Sequence, residues 1–339
     1  IVSSGCGAMT FVHIPVCLFF LALPLSIAGM NVAAALLTVA ALWLARNKEA
    51  RWDRSWNPVL LALAAYTAVG LVAGLLGLNP GLSVKVVPKD LHKRWILAAL
   101  LIVFSAKPPR RSLAWLISGF TLLALVGIWQ AATQRTYGGA WARAHGFVHA
   151  VTYGQQMAIG LLGALCFMLR GRGSHDSGVS RRMLAFFIIA ASVALILSQT
   201  RAALLGLAAG FAAVCWLDKS LRRWLLWGGA VGLAVLFVWE MLPIRGGRSL
   251  LELFRHRELF VRGEVNPDLV RYVLWDTAVA MFRDHPWTGL GPDNYHFAFA
   301  QYFSGVMDGE RNWGSAHNLY LHQAAERGLL GLTALFCLF

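Results

Sequence analysis

Residues 57–78 read NPVLLALAAYTAVGLVAGLLGL, a run without Asp, Glu, Lys, Arg or His. A helix rises 1.5 Å per residue, so about 20 residues cross the roughly 30 Å hydrocarbon layer of a bilayer. Other apolar runs, some with an ionisable residue, lie at 11–29, 31–45, 95–106, 112–131, 151–169, 183–199, 202–217, 224–243 and 318–339. The run at 95–106 is short and borrows flanking residues. The expected fold is all-α: a polytopic membrane protein of about 10–12 transmembrane helices.

Composition agrees. Apolar residues make up 58% of the 339 positions and charged residues 14%, with a mean hydropathy of +0.60. A soluble domain carries roughly 25% charged residues. The chain starts at Ile1 and stops at Phe339 inside an apolar run, so both ends read as incomplete. The first run is too long, and too soon followed by another, for a cleaved signal peptide. Cys17, Cys166, Cys215 and Cys337 sit in apolar runs and Cys6 near the start, with no CxxC or Cys/His spacing, so no disulfide framework or zinc site is expected.

The net charge is +14. In a membrane protein its meaning lies in distribution, and no nucleic-acid partner is inferred. Segments 46–54, 107–111, 170–182 and 219–223 are densely basic and alternate with the others, which makes them cytoplasmic by the positive-inside rule. Segments 80–94, 133–150 and 199–201, and a long one from about 244 to 316, then face the opposite side, the periplasm in a bacterium. The chain divides into transmembrane helices with short loops over 1–243, a long periplasmic loop with helices over 244–316, and a C-terminal transmembrane helix over 317–339. The long loop carries Arg245, Arg248, Arg255, Arg257, Arg262, Arg271, Arg283 and Arg311. It is exempt from the positive-inside rule, and its charge fits an anionic ligand or acidic headgroups of membrane lipids. Spans 57–78, 112–131, 183–199, 202–217 and 224–239 contain no ionisable Asp, Glu, Lys, Arg or His, whereas ion-coupled transporters keep such groups at mid-depth.

Three features reach the outer face by this topology. Arg201 ends a tight turn, LSQTR at 197–201, between two apolar helices; its fork of donors matches phosphate oxygens, and a snorkelling arginine would stand in the same place. Asn266-Pro267 is an N-cap followed by proline at the first helical position, so a helix is expected from there to about Arg283, with Arg271, Trp275 and Ala278 on one face. Such a helix also suits the membrane surface. The run 284–292, DHPWTGLGP, stops it. Finally, Ser315 is a plausible N-cap that would put His317 in the first turn of the next helix, where a neutral imidazole is what a general base requires.

Taken together these residues resemble the O-antigen ligase and polymerase family of bacterial envelope membrane proteins, from about Ser198 to Gly331. The ligase-branch pattern is matched by His317-Asn318, nine residues and Gly328-x-x-Gly331. Ser198-x-x-Arg201 resembles the family's arginine turn. Arg271, Trp275, Ala278 and His285-Pro286-x-x-Gly289-x-Gly291 resemble its loop signature. The resemblance implies a GT-C-type glycosyltransferase of lipopolysaccharide biosynthesis, multi-pass in the bacterial inner membrane, with its active site on the periplasmic side. Its donor would be an undecaprenyl-pyrophosphate-linked glycan and its acceptor a sugar hydroxyl of lipid A core. Arg201 and Arg271 would neutralise the pyrophosphate, and His317 would orient or deprotonate the hydroxyl. No cofactor or metal is implied, and the sequence has no DxD-like pair near the site. A single displacement on an α-linked donor would invert the anomeric centre.

Arg143, His149 and Tyr153 lie in or beside the short 133–150 loop, whose ARAHGF fragment looks like family sequence and is expected to contact donor sugar. That short loop favours ligase over polymerase. Lys89 and Arg94, with Lys85, Asp90 and Lys93, form a basic segment able to grip phosphates or to anchor at the interface. His145 and His149 would share a face only if helical, and no third metal ligand accompanies them. Asn318, Trp275 and His322 are the remaining expected substrate contacts; His322 and Glu326, four apart, extend a polar stripe beside His317 or satisfy each other. Protein O-oligosaccharyltransferases share much of this pattern, and a lipid-linked saccharide carrier is the rival from another class.

Overall fold

A computed structural model describes residues 4–48, 56–106, 111–134, 143–169, 178–222, 224, 260–261, 264–265, 267–303 and 313–338. The described helices are α1 (Ser4–Leu25), α2 (Ile27–Arg46), α3 (Asn57–Leu76), α4 (Pro80–Ala106), α5 (Ser112–Thr133), α6 (Ala150–Leu169), α7 (Arg181–Leu197), α8 (Arg201–Leu217), α9 (Pro267–Asp284), α10 (Tyr295–Tyr302) and α11 (Leu319–Phe336). A short 3-10 turn covers Lys219–Leu221, and Phe260–Val261 pairs antiparallel with Glu264–Val265. The chain is helical and multi-pass: α2, α3, α5 and α6 are long and apolar enough to cross a membrane, and shorter apolar helices run over Val12–Leu25, Trp95–Ala106 and Ala202–Leu217. The expected run at 224–243 beyond residue 224, and the loop through residue 259, lie outside the described residues.

One expectation needs correction. The segment 80–94 was read as a loop, yet it is the first half of α4. Asn79-Pro80 starts that helix as Asn266-Pro267 was expected to start α9: Asn79 Oδ1 accepts from Leu82 N at 3.3 Å, and Pro80 needs no donor partner at the first position. Charge lowers hydropathy without ending a helix. The segment 317–339, expected as a C-terminal span, contains α11 over Leu319–Phe336. It carries Glu326 and Arg327 and is broken at Gly328, whose backbone is non-helical at φ 61°, ψ −159°.

The chain forms two compact units, Ile1–Arg51 with Ala99–Leu253, and Trp52–Ala98 with Phe254–Phe339. In the first, α1 packs on α2 and α5, and α6 on α7 and α8. Small side chains line these seams, among them Ala124, Ala158, Ala190, Ala191, Ala194 and Ala203 in one buried cluster. A Cβ on Gly119 of α5 would stand 2.6 Å from Leu21 O of α1. Small residues let backbones approach where lipid supplies no hydrophobic drive between helices. The outward faces are large and apolar, with Ile27, Ile159, Ile189 and Leu205 exposed. In the second unit, α9, α10 and α11 bury Val270, Leu274, Ala278, Met281, Leu290, Tyr295 and Phe299 together, and α11 packs on α3.

Candidate functional site

The first unit holds the arginine turn. Its α7 ends at Leu197, Gln199 turns the chain through a left-handed conformation at φ 52°, and Arg201 opens α8. The backbone of Arg201 therefore stands at a helix N-terminus; its side chain lies outside the described atoms. The turn is held from the 143–150 loop. Arg143 Nε donates to Ser198 O at 2.9 Å, and one terminal nitrogen donates to Gln199 O and Thr200 Oγ1, each at 3.3 Å. Burial lowers the Arg143 guanidinium pKa below its ordinary value. Ala144 N donates to Leu197 O, and Thr200 Oγ1 to Ala150 O. On the loop's other side Gln130 Nε2 donates to Gly146 O at 2.7 Å.

Of the residues expected to meet donor sugar here, Tyr153 is corrected to a packing residue. Its side chain is wholly buried between Gly127 and Gly146, and its hydroxyl donates to Leu123 O and Ala124 O. His149 is exposed just ahead of α6, where its Nδ1 accepts from Val151 N at 3.3 Å. The 143–149 stretch is not helical, so the four-residue spacing of His145 and His149 does not put them on one face. Among the described residues no group of three or more His, Cys, Asp or Glu is placed to hold a metal. The side chains of Lys89 and Arg94 lie outside the described atoms, though their backbone is in α4.

The second unit holds the histidine. The helix expected from 267 to about 283 is present as Pro267–Asp284. It buries the stripe Val270, Leu274, Ala278 and Met281, which leaves Arg271 exposed at the border and Trp275 half-buried, its ring edge-on to Tyr272 at 5.4 Å. His317 is not in a helical first turn. Asn318 is the N-cap of α11, its Oδ1 accepting from Tyr320 N at 3.0 Å and Leu321 N at 3.2 Å. An asparagine three residues nearer the apolar run outcompetes Ser315, and His317 precedes it at φ 49°, exposed, its ring edge-on to Trp313 at 5.9 Å. Asn318 thus spends its carbonyl oxygen on the backbone and keeps its amide donors.

Beneath this cap the 285–291 loop is stitched to the break in α11. In an unbroken helix Ala325 O and Glu326 O would accept from Leu329 N and Leu330 N. Instead Leu290 N and Gly291 N donate to those two carbonyls, both at 2.9 Å, while Leu329 N and Leu330 N donate to Pro286 O and Trp287 O at 2.7 and 3.3 Å. The loop thus supplies partners for these two carbonyls and two amides, as buried backbone requires. Gly289 and Gly328 make the approach feasible: a Cβ on Gly289 would stand 2.7 Å from Ala325 O, and one on Gly328 would overlap Trp287. The next residues are fixed as well. Ser83 Oγ donates to Pro292 O at 2.8 Å, Asn294 Nδ2 donates to Ser83 Oγ at 2.9 Å, and Leu78 N donates to Leu290 O.

His322 and Glu326 face each other across one turn of α11. Nε2 of His322 lies 3.6 Å from Oε2 of Glu326, whose other oxygen accepts from Tyr295 N at 3.2 Å. The His322 ring also packs on Tyr295 at 5.2 Å. Glu326 was foreseen only as a partner of His322, and its hold on Tyr295 was not, because its spacing points along the helix and not across to α10. Tyr66 OH donates to Gln323 Oε1 at 2.7 Å, and the Arg327 guanidinium stacks over the Tyr66 ring at 4.6 Å.

No curated protein gives a significant match to the chain. Residues 184–336 match the family model described as O-antigen ligase, a span that takes in Arg201, Arg271, the 285–291 loop and His317-Asn318. That family is of transferase type and belongs to the ligase and polymerase superfamily, whose members meet a lipid-linked glycan and an acceptor. With its apolar helices and this match, the chain is a multi-pass membrane protein that carries an O-antigen ligase family domain.

Proposed function

We propose that the protein is an O-antigen ligase working at the periplasmic side of the bacterial inner membrane. It moves a polysaccharide from undecaprenyl pyrophosphate to a sugar hydroxyl of lipid A core. The observation that carries this reading is the family match over 184–336, which contains the three residues with chemistry suited to it. Outside the cytoplasm a lipid pyrophosphate is already an activated donor. The acceptor oxygen bonds to the anomeric carbon as the carbon–oxygen bond to pyrophosphate breaks, in one inverting displacement of the GT-C type. Arg201 and Arg271 stabilise the charge that collects on the departing pyrophosphate, and His317 orients the hydroxyl or takes its proton. Fixed positive groups need no metal for this.

What supports the role of His317 is its setting: an exposed imidazole directly before a capped helix, on a strained backbone, beside Trp313. Strained residues of this kind gather at functional sites. Arg271 lies exposed at the edge of α9 with Trp275 next to it, a cation beside an aromatic surface suited to a sugar. Lys89, Arg94, His149, Asn318 and His322 are proposed to extend the binding surface for phosphate and glycan.

The test is transfer by purified protein from undecaprenyl-pyrophosphate-linked glycan to lipid A core in EDTA. Conjugate is expected from wild type and not from folded His317→Ala, Arg201→Ala or Arg271→Ala. Extension of the glycan on its own carrier would instead make the protein a polymerase. Transfer to a protein hydroxyl would make it an O-oligosaccharyltransferase, and unaffected variants would leave a carrier or scaffold.

A further inference from the structure

Arg143 is the expected donor-sugar contact whose described hydrogen bonds all point the other way. Its Nε and one terminal nitrogen are committed to Ser198 O, Gln199 O and Thr200 Oγ1, the three residues immediately before Arg201. Those carbonyls close α7, where backbone acceptors are left over and a cation is favoured. The turn itself needs support, because Gln199 is a non-glycine residue in the left-handed region, which costs roughly 1–2 kcal/mol. A planar fork answers two carbonyls and a hydroxyl at once, which a lysine ammonium at the end of a flexible stem does not.

The rest of the pocket fits the same purpose. Thr200 Oγ1 is tied to Ala150 O at 3.1 Å, and Ala144 N to Leu197 O at 3.0 Å. A Cβ on Gly154 of α6 would stand 2.7 Å from Thr200 Cβ and 2.8 Å from Ser198 Oγ, so α6 closes on the turn from another side. Arg143, α6 and the end of α7 together define the backbone from which Arg201 departs.

We infer that Arg143 is a positioning residue for Arg201: it fixes the 198–200 turn and acts on the pyrophosphate only through the arginine that follows. The inference rests on the reading of Arg201 as the pyrophosphate ligand. It also separates two arginines of the outer face by role, one assigned to the ligand and one to the turn that precedes it.

The experiment measures binding of undecaprenyl pyrophosphate, and amide hydrogen exchange over 198–204, in wild type, Arg143→Gln, Arg143→Lys, Arg201→Ala and the double variant Arg143→Gln/Arg201→Ala. For groups acting through one another the effects do not add: Arg143→Gln is expected to weaken binding about fivefold or more when Arg201 is present and less than about twofold when it is not. Arg143→Lys, which keeps the charge and loses the fork, should behave like Arg143→Gln. Both should speed exchange at the turn by about tenfold, a local opening seen apart from global unfolding. Equal losses with and without Arg201, or full binding by Arg143→Lys, would make Arg143 a ligand itself and overturn the inference. A wild type that transfers no glycan would remove the functional reading; unchanged exchange over 198–204 would still overturn the positioning claim by itself.

Discussion

The turn at 198–201 and the loop at 285–291 both hold a stretch of irregular backbone next to a residue with chemistry, but by opposite means. The turn is held by side chains reaching in: Arg143 on three acceptors, Thr200 on Ala150 O and Gln130 behind the loop. The loop is held by backbone bonded to backbone, with glycines giving the clearance. A side-chain clamp depends on the shape of the group that reaches in, here a planar fork that another donor does not reproduce. A backbone seam fails whenever a Cβ is added. The first arrangement makes the turn before Arg201 depend on side-chain shape, and the second preserves a fixed platform under the histidine.

The contrast is sharpest at the seam. Gly328 occupies a backbone region that is essentially glycine-only, and a Cβ would overlap Trp287, so Gly328→Ala is expected to cost about 3 kcal/mol or more. Thermal unfolding in detergent reads this, and a wild-type melting temperature would break the comparison. Next comes Glu326→Ala, which strips the carboxylate from Tyr295 N and His322 and should cost about 2–3 kcal/mol, measured the same way. A smaller effect is expected for Asn318→Ala, about 1 kcal/mol through the lost cap, with Asn318→Asp restoring most of it. If transfer depends on how the cap presents His317, kcat should follow the same order. Tyr153→Phe should cost about 1 kcal/mol through its two buried carbonyl bonds while leaving the donor KM unchanged; a raised KM would return Tyr153 to the ligand surface. Mildest is His149→Ala, within about 0.5 kcal/mol in stability because the ring is exposed.

The sequence was most legible where one residue type has one local meaning. Uncharged runs located α3 and α5, and Asn266-Pro267 foretold a helix over 267–284, which is present. The same dipeptide at 79–80 starts α4, because a helix start lies in its cap and not in the charge that follows. His317-Asn318 was found, but its register was shifted by choosing Ser315 over Asn318 as the cap. Gly328-x-x-Gly331 marked its place without revealing its use. That Gly328 breaks α11, and that the loop at 285–291 supplies the missing partners, depends on hydrogen bonds between segments some forty residues apart. Tyr153 was illegible for a related reason: its type suits a sugar, and only neighbours distant in sequence show that it is buried.

The broken helix bears on how the protein is made. On translocon-based scales an Arg at the centre of a span costs about 2.5–3.5 kcal/mol, so a segment with Glu326 and Arg327 side by side is a poor candidate for entering lipid by itself. Its receiving surface is built much earlier in synthesis: Tyr66, which bonds Gln323 and lies under Arg327, precedes Gln323 by 257 residues. The intervening loop at 285–291 must also be in place to satisfy the kink. Docking of this segment is therefore a late quality gate in biogenesis, and substitutions at Tyr66 or Gly289 should surface first as degraded nascent protein and only then as a catalytic defect.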